Sequence, residues 1–74
     1  MKLPAIFQDR VTGACRPGKV YRDPDGRMHD VYGAPYETVG TVEIEGHGEY
    51  DGPATVMHVA GSGFVALVPE RGEL

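Results

Sequence analysis

Five polar side chains that can bind cations or basic partners stand at alternate positions in one short segment of the chain. They are Glu43, Glu45, His47, Glu49 and Asp51. Successive side chains of a β-strand point to opposite faces, so an unbroken strand would line up these groups on one face, about 6.6 Å apart. A row of carboxylates can meet lysines and arginines of another protein. These residues, together with Tyr50, are therefore the predicted partner-binding surface.

The same alternation is also typical of an ordinary solvated sheet face, where charges discourage edge-to-edge association. Gly46 and Gly48 interrupt the row, and glycine inside a strand often marks a bulge or a bend. The segment is thus either one continuous strand or two pieces set at an angle.

Histidine and carboxylate groups invite a metal-binding hypothesis, because His47 and its acidic neighbours offer nitrogen and oxygen ligands. His29 and His58 lie 18 and 11 residues away, whereas structural zinc sites use closely spaced cysteine and histidine pairs. Calcium loops require oxygen ligands at tighter spacing. We therefore predict no metal site and no cofactor.

Cys15 is the single cysteine and the strongest candidate for a nucleophile. A nucleophile needs a positioned base and a place for the oxyanion, and nothing in the sequence brings His29 to Cys15. No catalytic residue is predicted, and an acid–base or metal-dependent enzyme remains only a third alternative.

A basic segment precedes the acidic one, since no acid lies between Arg10 and Arg22. Small barrels bind single-stranded nucleic acid with a basic groove and stacking aromatic residues. The residues that could form such a groove are Arg10, Arg16, Lys19, Tyr21, Arg22 and Arg27. The net charge of −4 argues against this alternative.

The elements that must position these residues are short, because glycine and proline punctuate the whole chain. No stretch longer than eight residues is free of both, the longest being Ala5 to Thr12. Proline inside a helix costs roughly 3 kcal/mol and glycine about 1 kcal/mol. This spacing excludes a helical protein and predicts short strands joined by tight turns.

Two hairpins are predicted. Asp23-Pro24-Asp25-Gly26 has the pattern of a type I turn followed by a left-handed glycine, and it would join Lys19–Arg22 to Arg27–Tyr32. The second hairpin would join Ala54–Ala60 to Phe64–Val68. The latter arm is apolar at every position, which predicts a central strand with both faces covered.

Further strands are predicted over Ile6–Thr12 and Glu37–Tyr50, with an additional turn at Arg16-Pro17-Gly18. Five to six short strands separated by turns are typical of a small barrel or sandwich. The predicted fold is all-β: one small antiparallel domain over residues 1–74, an SH3-like barrel or a small sandwich. A core this small makes a homo-oligomer plausible.

Composition also bears on location. One cysteine cannot form an intramolecular disulfide, and no apolar run has the length of a signal peptide or a membrane span. We therefore expect a cytoplasmic protein without a targeting segment, a linker or a membrane partner.

The function predicted from these observations is a small non-enzymatic binding module that acts by protein–protein interaction. It could be an accessory or inhibitor protein that presents an acidic strand face to a basic partner. The alternative is a small barrel that binds single-stranded nucleic acid through its basic face.

Overall fold

The computed structural model describes residues 1–70, which form one six-stranded antiparallel sheet. The strands are β1 (Lys2–Asp9), β2 (Cys15–Arg22), β3 (Met28–His29), β4 (Glu37–Ile44), β5 (Gly52–His58) and β6 (Phe64–Pro69). Their order across the sheet is β3-β2-β1-β6-β5-β4. The predicted all-β antiparallel fold is thus confirmed; the last four residues of the predicted domain lie outside the described part. Within residues 1–70, no helix has the length and apolarity needed to span a membrane.

The sheet curls into a half-barrel around an inner apolar cluster. Val20 of β2 and Met57 of β5 belong to this cluster, although two other strands lie between β2 and β5. The other buried members are Leu3, Ala5, Tyr36, Ala66 and Val68. Burying a valine or leucine side chain contributes roughly 1.5–3 kcal/mol, so this inner cluster holds the curl.

A smaller cluster covers the opposite, outer face of the sheet. Its buried members are Ile6, Ile44, Ala54 and Leu67. Strand β6 lies in the middle of the sheet and supplies both clusters, since Leu67 belongs to the outer one and Val68 to the inner one. The prediction of a central strand covered on both faces is confirmed for this segment.

The turn predicted between β2 and β3 is confirmed. The amide of Gly26 donates to the carbonyl of Asp23 at 2.9 Å, and Gly26 has φ 86°. The Asp23 carboxylate also accepts hydrogen bonds from the amides of Asp25 and Arg27, each at 3.0 Å. Aspartate at the first position and glycine at the fourth therefore serve the roles inferred from the sequence.

Strand β3 is shorter than the predicted Arg27–Tyr32 arm. The carboxylate of Asp30 accepts hydrogen bonds from the amides of Tyr32 and Ala34, at 2.9 and 2.8 Å. These bonds turn the chain away immediately after His29, so β3 has only two residues.

The turn predicted at Arg16-Pro17-Gly18 is wrong, because β2 already begins at Cys15. The amide of Arg22 donates to the carbonyl of Met1 at 2.7 Å. The N–H and C=O groups of successive residues point to alternate sides of an antiparallel strand. Those of Gly18, like those of Arg22, therefore point toward β1, and the carbonyl of Pro17 points away from it. A proline is tolerated at that outward position, where no amide is needed for the ladder.

Candidate functional site

The acidic segment is not one strand. Strand β4 ends at Ile44, and Gly46 and Gly48 have φ values of 78° and 64°. These angles belong to the left-handed region that glycine adopts readily, and the chain then makes a 3-10 turn over Gly48–Tyr50. Of the two alternatives for Glu43–Asp51, the continuous strand is therefore wrong and the arrangement in two pieces is the one observed, with the two glycines dividing the row.

Two of the predicted binding residues hold the loop together. The Asp51 carboxylate accepts hydrogen bonds from the amides of Gly46 and His47, at 3.2 and 2.7 Å. Tyr50 is half-buried and packs against the outer cluster. Glu43, Glu45, His47 and Glu49 remain exposed. Of these four exposed residues, Glu43 lies inside β4 and Glu45 directly follows it.

Strand β4 forms a free edge of the sheet. Within residues 1–70 it pairs with β5 and with no other strand, and seven of its eight residues are exposed. Edge strands are commonly protected by charged side chains, proline or bulges; β4 contains Glu37 and Glu43 but no lysine or proline.

Val39 and Val42 are 55% and 41% exposed. Both valines therefore present apolar surface to solvent along the free edge, beside the exposed hydroxyl side chains of Thr38 and Thr41. A β-bulge between Thr38 and Gly40 is the one irregularity in the pairing of β4 with β5.

The hydrogen-bond pattern identifies which backbone groups of β4 lack a partner strand. The carbonyl of Pro53 accepts a bond from the amide that follows β6, at 2.9 Å, so Pro53 faces β6. Because the N–H and C=O groups of successive residues point to alternate sides of a strand, those of Ala54 point toward β4, where Ala54 is paired with Val42. Thr41 and Glu43, on either side of Val42, consequently direct their N–H and C=O groups away from the sheet.

The opposite edge is better protected. Strand β3 pairs only with Tyr21 and Arg22, so the rest of β2 is free on that side. Pro17 faces outward there and has no N–H to donate, and the charged side chains of Arg16 and Lys19 flank it. Among residues 1–70, β4 is therefore the edge that is more open to an additional strand.

Negative charge follows the β4 edge. Glu37 begins the strand, Glu43 lies near its end and Glu45 follows it. Glu37 Oε2 lies 3.8 Å from His58 Nε2, a contact that is ionic only when the histidine is protonated. The edge therefore offers carboxylates to a basic partner.

The residues predicted for a nucleic-acid face do not share one face. Alternation along β2 and two turns divide them among the inner face (Arg16 and Arg22), the outer face (Lys19 and Tyr21) and the turns (Arg10 and Arg27). Tyr21 stacks on the ring of His29, with centroids 5.7 Å apart. The basic residues thus form no single groove.

The pocket beside Cys15 contains a carboxylate but, among residues 1–70, no histidine. The thiol is exposed and lies 3.5 Å from the carbonyl of Gly13. It borders a pocket of about 410 Å³ whose lining includes Phe7, Phe64, Arg16 and Asp9, and the Asp9 carboxylate already accepts hydrogen bonds from the amides of Val11 and Thr12. In the same part of the chain, no three metal-ligating side chains converge on one point.

Sequence reasoning missed the free edge itself. Its trace in the sequence is the run Thr38-Val39-Gly40-Thr41-Val42, which favours a strand and lacks the lysine or proline that commonly protects an edge. Which strand lies at the edge depends on the order of the sheet, which local patterns do not specify. No protein family, no curated protein and no solved structure gives a significant match to this chain.

Proposed function

We propose that this protein is a binding module that captures a basic, extended segment of another protein by adding it as a strand to the free edge of β4. The observation that carries the proposal is the eight-residue edge, with the backbone groups of Thr41 and Glu43 directed outward. Main-chain hydrogen bonds provide the affinity in this mode of recognition, and side chains at alternate positions provide the specificity.

Charge supports a basic partner. Glu37, Glu43 and Glu45 lie along or next to the edge, in a chain of net charge −4. A cross-strand pair of opposite charge contributes roughly 0.2–1 kcal/mol, and complementary charge raises the association rate and excludes acidic partners. The lone exposed thiol of Cys15 supports a reducing compartment such as the cytoplasm.

The expected affinity is modest. Each main-chain hydrogen bond contributes about 0.5–1.5 kcal/mol net, and Thr41 and Glu43 offer two donors and two acceptors. These four bonds sum to about 2–6 kcal/mol, so a short segment should bind with a Kd between roughly 40 μM and 30 mM. Such affinities are measured well by nuclear magnetic resonance.

The test is amide hydrogen exchange with a defined probe, the acetylated and amidated peptide Arg-Thr-Lys-Val-Thr-Ala. Strand addition is expected to slow exchange at the amides of Thr41 and Glu43. The amide of Val42 already faces β5, so it serves as the internal reference. Unchanged exchange at Thr41 and Glu43 under saturating peptide would contradict the proposal.

The substitution Thr41→Pro removes an outward amide without removing a bond to β5. Pro17 already occupies an outward position of β2, so such a variant is expected to fold. We expect peptide binding to be lost in Thr41→Pro and retained in Lys19→Pro, which alters the opposite edge in the same way. A dimer in solution that Thr41→Pro dissociates would instead assign the edge to a second copy of the chain.

A charge variant tests the electrostatic contribution to peptide binding separately from the main-chain hydrogen bonds. Glu43→Gln should weaken binding of the peptide several-fold, whereas Asp25→Asn removes one charge in the distant β2–β3 turn and should have little effect. Equal binding by the two variants would exclude a role for the acidic edge.

A further inference from the structure

Gly40 adjoins the β-bulge of β4, yet neither its backbone angle nor crowding requires a glycine there. Its φ is not in the left-handed region, and a Cβ built on it would meet no atom within 4 Å. Gly18, by contrast, must be glycine because a Cβ there would overlap the Phe7 ring. Glycine inside a strand is unfavourable by roughly 0.5–1 kcal/mol relative to alanine, so the open space at Gly40 invites a functional explanation.

The space at Gly40 is an apolar notch beside the free edge. Gly40 is paired with Val56 of β5, which is half-buried and packs on the outer cluster. Val42 lies two residues along on the same face and is 41% exposed. A side chain reaching across Gly40 from an added strand would therefore contact both valines.

We propose that Gly40 is the receptor for a large aromatic side chain of the captured segment, an inference that rests on the proposed function. Aromatic residues cover glycines on neighbouring strands in the same way. An antiparallel segment that pairs with β4 places its successive residues, starting from its N-terminus, opposite Glu43, Val42, Thr41 and Gly40. The side chains of directly opposed residues point to the same face of the sheet. The recognised pattern is a basic residue, a β-branched residue, any residue and an aromatic residue.

The experiment compares two peptides on two proteins. The peptide Arg-Thr-Lys-Val-Thr-Phe places phenylalanine opposite Gly40, and the peptide that ends in alanine lacks the ring. We expect the phenylalanine peptide to bind the unmodified protein about fivefold to tenfold more tightly. In Gly40→Val, which fills the notch, the two peptides should bind within about twofold of each other.

Gly40→Val is expected to fold, because nothing lies within 4 Å of the added Cβ and valine favours strands. Its amide spectrum checks this directly. Thr38→Val is the matched control, since it adds valine to the same strand at a position paired with Met57 of the inner cluster, and it should keep the preference for phenylalanine.

The outcomes separate the two proposals. Equal binding of both peptides to the unmodified protein, with exchange slowed at Thr41 and Glu43, overturns the notch and leaves strand addition intact. A preference for phenylalanine that survives in Gly40→Val also overturns the notch. Absence of binding by either peptide overturns the proposed function.

Discussion

Replacing Gly18 by alanine tests the packing of the inner face. The added Cβ would overlap Cε2 and Cδ2 of Phe7 and lie 3.3 Å from its Cζ. The ring would have to leave its edge-on contact with Phe64, where the centroids are 5.3 Å apart. Overpacking costs typically 1–3 kcal/mol and the aromatic pair contributes about 0.5–1.5 kcal/mol.

A stabilising effect of Gly18→Ala opposes this loss of stability. Alanine reduces the conformational entropy of the unfolded chain and stabilises by about 0.4–1 kcal/mol where the backbone permits it. The overlap exceeds this gain, so Gly18→Ala should lower the free energy of unfolding by about 1–3 kcal/mol. That is a large share of the roughly 4–11 kcal/mol expected for a domain of this length.

The assay is urea unfolding followed by tyrosine fluorescence and circular dichroism, since the chain has four tyrosines and no tryptophan. Gly40→Ala is the matched control, because its Cβ meets nothing within 4 Å, and it should be neutral or slightly stabilising. The double variant Phe7→Leu with Gly18→Ala should recover part of the loss, since contacting residues couple. If Gly18→Ala is as stable as the unmodified protein, the explanation of this glycine is refuted.

Two further predictions concern pH. The amides of Thr12 and Val11 donate to Asp9 and lower the pKa of its carboxyl below the ordinary 3.8; the ionised form therefore stabilises the fold above that value, and this contribution is lost as the pH falls through the lowered pKa. Asp9→Asn should remove this acid-dependent part in urea unfolding across the acid range. Burial and, secondly, the charge of Asp30 raise the pKa of Tyr36 above the ordinary 10.0. The contribution of neutral Tyr36 to the free energy of unfolding is therefore complete below pH 10 and is lost as the pH rises through the raised pKa. Tyr36→Phe should flatten the loss of stability in alkali, and an unchanged alkaline midpoint would contradict this assignment.

Features specified by neighbouring residues were predictable. The turn Asp23–Gly26 depends on one carboxylate, one proline and one glycine within four residues. The central position of Phe64–Val68 follows from its continuous apolar composition. In both cases the determining contacts are local or depend on hydrophobicity alone.

Features that depend on another strand were not predictable. Pro17 and Gly18 have the composition of a turn, yet they lie inside β2, because Pro17 faces outward and Gly18 accommodates the ring of Phe7. The break at Gly46 and Gly48, by contrast, was one of two alternatives already visible in the sequence, and the left-handed φ of both glycines decides between them by ending the strand at Ile44.

The sequence by itself determined the class of this protein, since the spacing of glycine and proline excludes helices and permits only short strands. It also located the acidic residues. Only the tertiary structure decided which of them flank a free edge, because the order of strands in a sheet depends on long-range packing around the inner and outer clusters. The empty space at Gly40 is likewise a property of the folded sheet, because a Cβ built on Gly40 would meet no atom within 4 Å.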